Sequence, residues 1–436
     1  NMPSTAVCEI ARLSRDARFD GVFFTAVLST RIYCRPVCPA RPPKTENVQY
    51  YPSAAAAQAQ GFRPCLRCRP ELAPGNHLWL PGEHLVSRAL KLINEGFLAD
   101  QPLDALAERL NVGVRQLRRL FVQYLGAPPI AVHATQRLLF AKQLLTETHL
   151  SITEVAMASG FRSVRRFNAA FADANHAEPR AFRRSAKTPA SKALVLRLGY
   201  RPPYDFKAVL AFLKTRALPG IECVDEHSYQ RVFGAVDSPG WLRISAWPSE
   251  QPALRLELVN VQPKEMLGVV TRIRRMFDLD ADPLAISHTL SASPMLAPLI
   301  ERYPGLRLPG GWDGFEVAVR AVLGQQVSVA AARTLASRIV QRYGTPVDAP
   351  GPSQLNRLFP GPESVVDADL GQMGVTKARV ATIQGVARAL IEGCVDFRIE
   401  QPLDRFIHSW VQLPGIGEWT AHYIAMRVLK HPDAFP

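Results

Sequence analysis

Four cysteines constrain this chain more tightly than any other feature. Cys34 and Cys38 are spaced C-x3-C, and Cys65 and Cys68 follow as C-x2-C. Each short pair can bite one side of a tetrahedral ion, and a folded loop must lie between the pairs. Soft thiolates at this spacing select zinc, and four of them close a structural site. Two disulfides are the competing reading of the same pattern. Arg35, Arg41, Arg63, Arg67 and Arg69 crowd the same stretch. Thiolates set among guanidiniums suit sulfur presented to a phosphate backbone.

Charge points to the same partner. The 436 residues carry 52 Lys and Arg against 38 Asp and Glu, a net charge of +14. A surplus of that size makes nucleic acid the expected polyanion. A chain of this length should hold about three or four domains, each able to bury a core. No apolar run approaches the roughly 20 residues that span a bilayer, so no membrane contact is expected. No secretory leader is legible after Asn1-Met2. Seven cysteines, four of them assigned to metal, fit a reducing bacterial cytoplasm. Cys8, Cys223 and Cys394 read as inert thiols.

The pattern along the chain predicts a multidomain protein, mainly α with α+β parts. Residues 1–76 form the cysteine module, a small zinc-bound α/β unit with β-prone 22–24 and 31–33 and an alanine-rich helix at 53–60. Residues 77–186 are helical and arginine-rich, and 187–192 make a short polar linker. Over 193–300 the period switches: Leu254, Leu256 and Leu258 alternate with Arg255 and Glu257, and Leu242 and Ile244 alternate with Arg243 and Ser245. These are half-buried strands. Helical patterns at 205–215 and 263–277 interrupt them, giving an antiparallel α+β domain. Residues 301–436 read as all-helical.

A repeat lies within the second segment. Leu103, Leu106, Ala107 and Leu110 form one stripe, 111–113 turn, and Leu117, Leu120 and Phe121 form the next. Ile152, Val155 and Ala156 then precede Ser159-Gly160, followed by Val164, Phe167 and Phe171. Two helix-turn-helix units are a DNA-reading pair. Their outer faces carry Arg115, Arg118 and Arg119, then Ser163, Arg165, Arg166 and Asn168. Arginine forks suit guanine edges and phosphates, and Asn suits adenine; a solvated basic face is the bland alternative. The segment resembles the AraC-type regulator domain, whose two units are joined by a long helix, here at about 130–145. That resemblance implies transcriptional activation, with RNA polymerase as a partner.

The cysteine module, with Tyr33-Cys34-Arg35-Pro36-Val37-Cys38-Pro39-Ala40-Arg41 and Gly61-Phe62-Arg63-Pro64-Cys65-Leu66-Arg67-Cys68, resembles the N-terminal sensor of the Ada family of alkylation-response proteins. The match covers residues 9–72. It implies that Cys34 accepts a methyl group from a DNA methylphosphotriester, once and irreversibly. Cys34, Cys38, Cys65 and Cys68 would all be ligands of one zinc ion, and Thr30, Arg41 and Arg67 match positions facing the DNA backbone. A four-thiolate zinc site carries about −2 and repels a phosphodiester. Methylation of one sulfur removes a unit of that charge and should strengthen promoter binding.

A third signal is Leu413-Pro414-Gly415-Ile416-Gly417 before Trp419-Thr420-Ala421, a tight turn between helices whose glycines Gly415 and Gly417 let backbone approach a phosphate. With Leu308-Pro309-Gly310 and the run from Phe315 to Ser328, it resembles the helix-hairpin-helix glycosylases that release 3-methyladenine from DNA. Pro202-Pro203-Tyr204-Asp205-Phe206 and Phe277-Asp278-Leu279 resemble the small, TATA-binding-protein-like sheet domain that opens those enzymes. The resemblance implies that Gln325 and Gln326 probe the duplex and that Phe212, Trp419 and Tyr423 line the base pocket. Electron-rich rings hold a flipped cationic base. The hydrolytic aspartate of such enzymes is expected a few residues beyond Pro436; Asp433 falls too early in the register. Glu418-Trp419 stands where lyase relatives place lysine, and the P-C-H-R signature of O6-methylguanine repair is missing, so a monofunctional glycosylase is expected. The competing hypothesis is a regulator whose rear half binds lesions in double-stranded DNA without cutting. A monomer is expected.

Overall fold

A computed structural model describes residues 2–75, 85–183 and 193–436. The expected boundary at 76–77 and the 187–192 linker lie outside these residues. The cysteine module is built on a four-stranded sheet in the order Val48–Tyr51, Phe24–Val27, Ile32–Cys34, Arg63–Pro64. Phe24, Tyr33 and Phe62 fill its core, as aromatic residues on a pleated surface should. Helix Ala54–Ala59 covers it; Ser53 caps the first turn by accepting the Ala56 N–H at 3.0 Å. Buried alanines let this helix lie close to the sheet and to the next domain, where Ala55 joins a second core.

Both helix-turn-helix units form. Leu103–Arg109 and Val114–Leu125 make the first, and Ile152–Ala158 and Val164–Asn175 the second. Gly126, at φ +68°, ends the first recognition helix in the left-handed conformation that glycine tolerates. Ser151 and Glu154 form a reciprocal capping box at the start of the second unit. Between the units runs helix Pro129–Glu147, buried on nearly every side. Val132 enters the core of the first unit, Leu138, Ala141, Leu144 and Leu145 enter that of the second, and Leu139 packs against the cysteine module. Such all-round burial marks an interior helix.

The α+β segment holds a five-stranded antiparallel sheet ordered Leu194–Gly199, Ala253–Val259, Ser238–Ala246, Ser228–Ala235, Glu222–Val224. Its register sets Leu242 opposite Leu258 and Ile244 opposite Leu256, so the alternating leucines share one buried face. Helices Phe206–Lys214 and Met266–Met276 pack on that face. The remaining segment is helical around Phe315, Val319, Ile339, Val386, Phe406 and Trp410. One departure from the all-helical expectation is a short ladder pairing Thr345–Pro346 with Arg357–Leu358. Gly220 sits beside it, its carbonyl accepting the N–H groups of Asn356 and Arg357.

The segments share surfaces. The second helix-turn-helix unit and the five-stranded sheet belong to one apolar core. Buried Arg201 donates to the carbonyls of Asp20 at 2.8 Å, Gly75 at 2.7 Å and Asp280 at 2.8 Å, joining the cysteine module to the α+β segment. The first helix-turn-helix unit meets the helical segment where Arg109 pairs with Glu400 at 2.6 Å.

Candidate functional site

Strand pairing brings the four cysteines together. Ile32–Cys34 and Arg63–Pro64 run parallel, with Tyr33 opposite Pro64, and the Cys65 N–H donates to the Tyr33 carbonyl at 2.9 Å. The two strands therefore deliver Cys34 and Cys65 side by side at one sheet end. A turn in which the Cys38 N–H donates to the Arg35 carbonyl at 3.2 Å folds Cys38 back, and the two-residue knuckle returns Cys68. The four sulfurs lie within 4.8 Å of one another. None is in a disulfide. Four converging soft donors fit zinc.

The sulfurs are not equivalent. Cys65 and Cys68 are buried, whereas Cys34 and Cys38 are half-buried. Backbone N–H groups are directed at three of them: Arg35 at Cys68 (3.3 Å), Arg67 at Cys65 (3.4 Å) and Ala40 at Cys38. Among the described residues no backbone N–H is directed at Cys34. Hydrogen bonding within the cluster draws the Cys38 thiol down, Cys34 first, and pushes Cys34 up, Cys38 first. A cation bound by all four would hold them deprotonated.

The neighbouring arginines divide into two sets. Thr30, at a hairpin tip, and Arg41 and Arg67, beside the cluster, are exposed. Arg35 instead clamps buried Asp20 and donates to the Cys68 carbonyl at 3.0 Å. Arg69 is held by Glu71 and Glu147, both at 3.1 Å. So Arg35 and Arg69 are structural, a distinction that spacing alone did not reveal. Lys142 was not singled out from sequence. It is 1% exposed, reaches from the long helix, and donates to the Cys65 carbonyl at 3.3 Å and Glu71 at 2.9 Å.

On the recognition helices, Arg115, Arg118, Arg119, Arg165 and Arg166 are exposed. Ser163 serves as the N-cap of Val164–Asn175, accepting the Arg166 N–H at 3.4 Å, and Asn168 is half-buried.

In the rear half, the hairpin turn places Gly415 at φ +86°, where a Cβ would stand 2.0 Å from the Thr382 hydroxyl. No side chain fits there. Gly417 is exposed at the start of Glu418–Ile424. The paired glutamines separate in role. Gln325 donates to the Gly415 carbonyl at 3.0 Å and to Thr420 at 3.1 Å, bracing the hairpin. Gln326 is exposed at φ +55°, projecting from a strained corner.

Phe212, Trp419 and Tyr423 line a cavity of about 250 Å³ between the sheet and the helical segment. Trp419 and Tyr423 stack at 5.5 Å and 11°, and Trp419 is 57% exposed. Two arginines missed from sequence complete the wall. Arg216 lies 3.8 Å from the Phe212 ring centre, and Arg427 lies 4.6 Å from Phe212 and 5.3 Å from Tyr423. Each follows its ring by four residues, a helical spacing that could have disclosed them. Deeper in, Arg231 pairs with Glu316, and Arg320 pairs with Glu222 at 3.0 Å and Glu316 at 2.9 Å. Asp433 is exposed and does not line this cavity.

Comparison with known proteins follows the same division. Residues 8–71 match the metal binding domain of Ada, 106–185 a helix-turn-helix domain and 195–313 the AlkA N-terminal domain. The chain is 40% identical over 436 residues to a probable bifunctional transcriptional activator/DNA repair enzyme AlkA of Mycobacterium tuberculosis, covering 98% of this chain and 87% of the relative. It is 33% identical over 242 residues to DNA-3-methyladenine glycosylase 2 of Escherichia coli, covering 55% of this chain and 82% of the relative. It is 36% identical over 149 residues to the bifunctional transcriptional activator/DNA repair enzyme Ada of Escherichia coli, covering 34% of this chain and 40% of the relative.

Proposed function

The chain belongs to the family of bifunctional transcriptional activator/DNA repair enzymes, and from that premise we propose that it senses, signals and repairs alkylation of double-stranded DNA. Cys34 is the methyl acceptor. Its sulfur attacks the methyl carbon of a methylphosphotriester; an S–C bond forms, the C–O bond breaks, and the electron pair leaves on the phosphodiester oxygen. Zinc held by Cys34, Cys38, Cys65 and Cys68 would keep these sulfurs deprotonated at neutral pH. Hydrogen bonds to sulfur draw off electron density, so Cys65, Cys68 and Cys38, each facing a backbone N–H, are the poorer nucleophiles. Thr30, Arg41 and Arg67 hold the flanking backbone.

The methylated sensor carries less negative charge and approaches DNA more readily. Arg115, Arg118, Arg165 and Arg166 then read the promoter, and the bound protein recruits RNA polymerase. In the rear half, Gln326 probes the duplex while the hairpin at Gly415 and Gly417 holds a phosphate. A damaged purine flips into the cavity lined by Phe212, Trp419 and Tyr423, and its N-glycosidic bond is hydrolysed. Asp433 does not line that cavity. The protein acts as a monomer in the bacterial cytoplasm; among the described residues no helix is long and apolar enough to cross a membrane.

The observation that carries this reading is the set of four unbridged sulfurs within 4.8 Å. Its test is a peptide mass map after incubation with a methylphosphotriester duplex. One methyl group on the Cys34 peptide is expected, and none on any cysteine of Cys34→Ser. A methyl on Cys38 instead would reassign the acceptor.

A further inference from the structure

The wall of the rear cavity carries more positive charge than a pocket for a base alone requires. Five arginines line it against two glutamates, a surplus of three charges. Arg231 and Arg320 account for both carboxylates. Arg231 pairs with Glu316 at 2.5 Å and lies 3.6 Å from Glu222, and Arg320 reaches Glu222 at 3.0 Å and Glu316 at 2.9 Å. Arg216, Arg333 and Arg427 are left over, and among the described residues none of the three has a carboxylate partner. They sit close together. Burial lowers the Arg216 guanidinium, Tyr423 raises it by charge and by a hydrogen bond, and the charges of Arg427 and Arg320 lower it. Arg333 donates through Nε to the carbonyl of Ala217, the residue after Arg216, at 2.6 Å.

Each of the three is anchored by part of its fork. Arg216 Nη1 donates to the Phe212 carbonyl at 3.1 Å and the Thr215 hydroxyl at 2.9 Å, and Arg427 Nη1 donates to the Pro309 carbonyl at 2.7 Å. The Nε of Arg427 is buried with no hydrogen-bond partner among the described residues. A guanidinium has five N–H groups, so donors remain for a ligand. The rings show what the pocket itself selects. Arg216 lies 3.8 Å from the centre of Phe212, and Arg427 lies 5.3 Å from that of Tyr423. These are the cation-on-ring contacts that an alkylated purine makes. A cationic base entering the cavity takes the place of Arg216 on Phe212, and the displaced guanidinium needs an anion to receive it. A flipped nucleotide supplies one, because the phosphates on either side travel with the base to the cavity mouth. Without them the surplus arginines would oppose a cationic base; with them that surplus is offset.

We propose that Arg216, Arg333 and Arg427 form a phosphate seat at the mouth of the cavity, separate from the hairpin at Gly415 and Gly417. It takes a DNA phosphate next to the flipped nucleotide, and Arg216 yields the Phe212 face to the cationic base as it does so. This rests on the reading of the cavity as a base pocket. The test is fluorescence anisotropy with duplexes containing 2′-fluoro-7-methyldeoxyguanosine, a cationic lesion that the fluorine protects from hydrolysis. A neutral methylphosphonate replaces the phosphate 5′ to the lesion, 3′ to it, or several nucleotides away. For wild-type protein one of the flanking replacements should weaken binding roughly tenfold, and the distant one far less. Arg216→Gln and Arg333→Gln should weaken the all-phosphate lesion duplex by a similar factor, leave the undamaged duplex unchanged, and respond no further to that methylphosphonate. Arg216→Lys, which keeps the charge, should retain most of the response. Arg333 is exposed, so its variant decides the matter if Arg216→Gln unfolds. The seat is overturned if no flanking methylphosphonate weakens wild-type binding, if the distant one costs as much, or if the variants remain as sensitive as wild type. If wild-type protein binds the lesion duplex no more tightly than the undamaged one, the base-pocket reading fails, and the seat with it.

Discussion

At the scale of single residues, function depends on which groups are left unsatisfied and which are not. Three of the four sulfurs meet a backbone N–H and, among the described residues, Cys34 does not. A second residue shows the opposite effect of burial. His133 is enclosed in the long helix, and burial, with the charge of Arg137 adding, lowers its pKa from 6.5 to about 4. Between those values the unfolded chain binds a proton that the folded chain refuses. Stability is therefore full above about pH 6.5, falls as pH drops towards 4, and levels off below that. Urea midpoints measured across this range should decline with a slope of at most one proton, and His133→Gln should flatten that part of the curve. A slope unchanged in the variant would show that another group titrates.

The deciding element is helix Pro129–Glu147. Thr135, Leu139, Lys142 and Thr146 all meet the cysteine module: Thr135 bonds Gln58 at 2.8 Å, Leu139 packs on its core, Lys142 reaches Cys65 and Glu71, and Thr146 accepts from Arg69 at 2.7 Å. These positions recur at helical spacing and form one stripe. Glu147 at its end pairs with Arg69 and accepts the Arg197 N–H of the first sheet strand at 3.0 Å. Lys142→Met strands a fully buried Glu71 with one cation fewer, which should cost about 3 kcal/mol in denaturant unfolding. Lys142→Met combined with Glu71→Gln should recover part of that loss; a variant as stable as wild type would remove the helix from its bridging role.

The same element shows what could be read in advance. Amphipathic stripes such as Leu103 to Phe121 and alternating runs such as Leu254 to Leu258 each have one wet face, so their period identifies them. The long helix has almost none, and its partners on three sides come from segments distant in sequence. The cysteine quartet was legible because metal ligation restricts residue type and spacing together. Arg216 and Arg427 were legible only as a spacing of four from Phe212 and Tyr423, which a surface arginine shares with one folded over a ring until the helix is placed against its neighbours. Gln325 and Gln326 read as a matched pair, yet only the first meets the hairpin.

At the scale of the whole molecule, three functions share contacts instead of merely sharing a chain. The apolar core that includes Phe167 and Phe171 also includes Leu196, Leu256 and Met266. Ser53 of the cysteine module donates to the carbonyl of Leu125, the last residue of the first recognition helix, at 2.6 Å. Arg201 reaches both the Asp20 carbonyl, whose side chain holds Arg35, and the sheet segment. Metal loss at the cysteine quartet should therefore be felt beyond it. Chelation of zinc is expected to lower the melting temperature of the entire chain in calorimetry, by several degrees, in place of removing one small front transition. A separate early transition with the main peak unmoved would mean that these contacts are not coupled.

All of this returns to the four sulfurs, and zinc-edge X-ray absorption on the purified protein addresses them directly. One zinc per chain, bound by four sulfurs at about 2.3 Å, is expected. A chain that holds no zinc and whose cysteines are recovered as two cystines would contradict it.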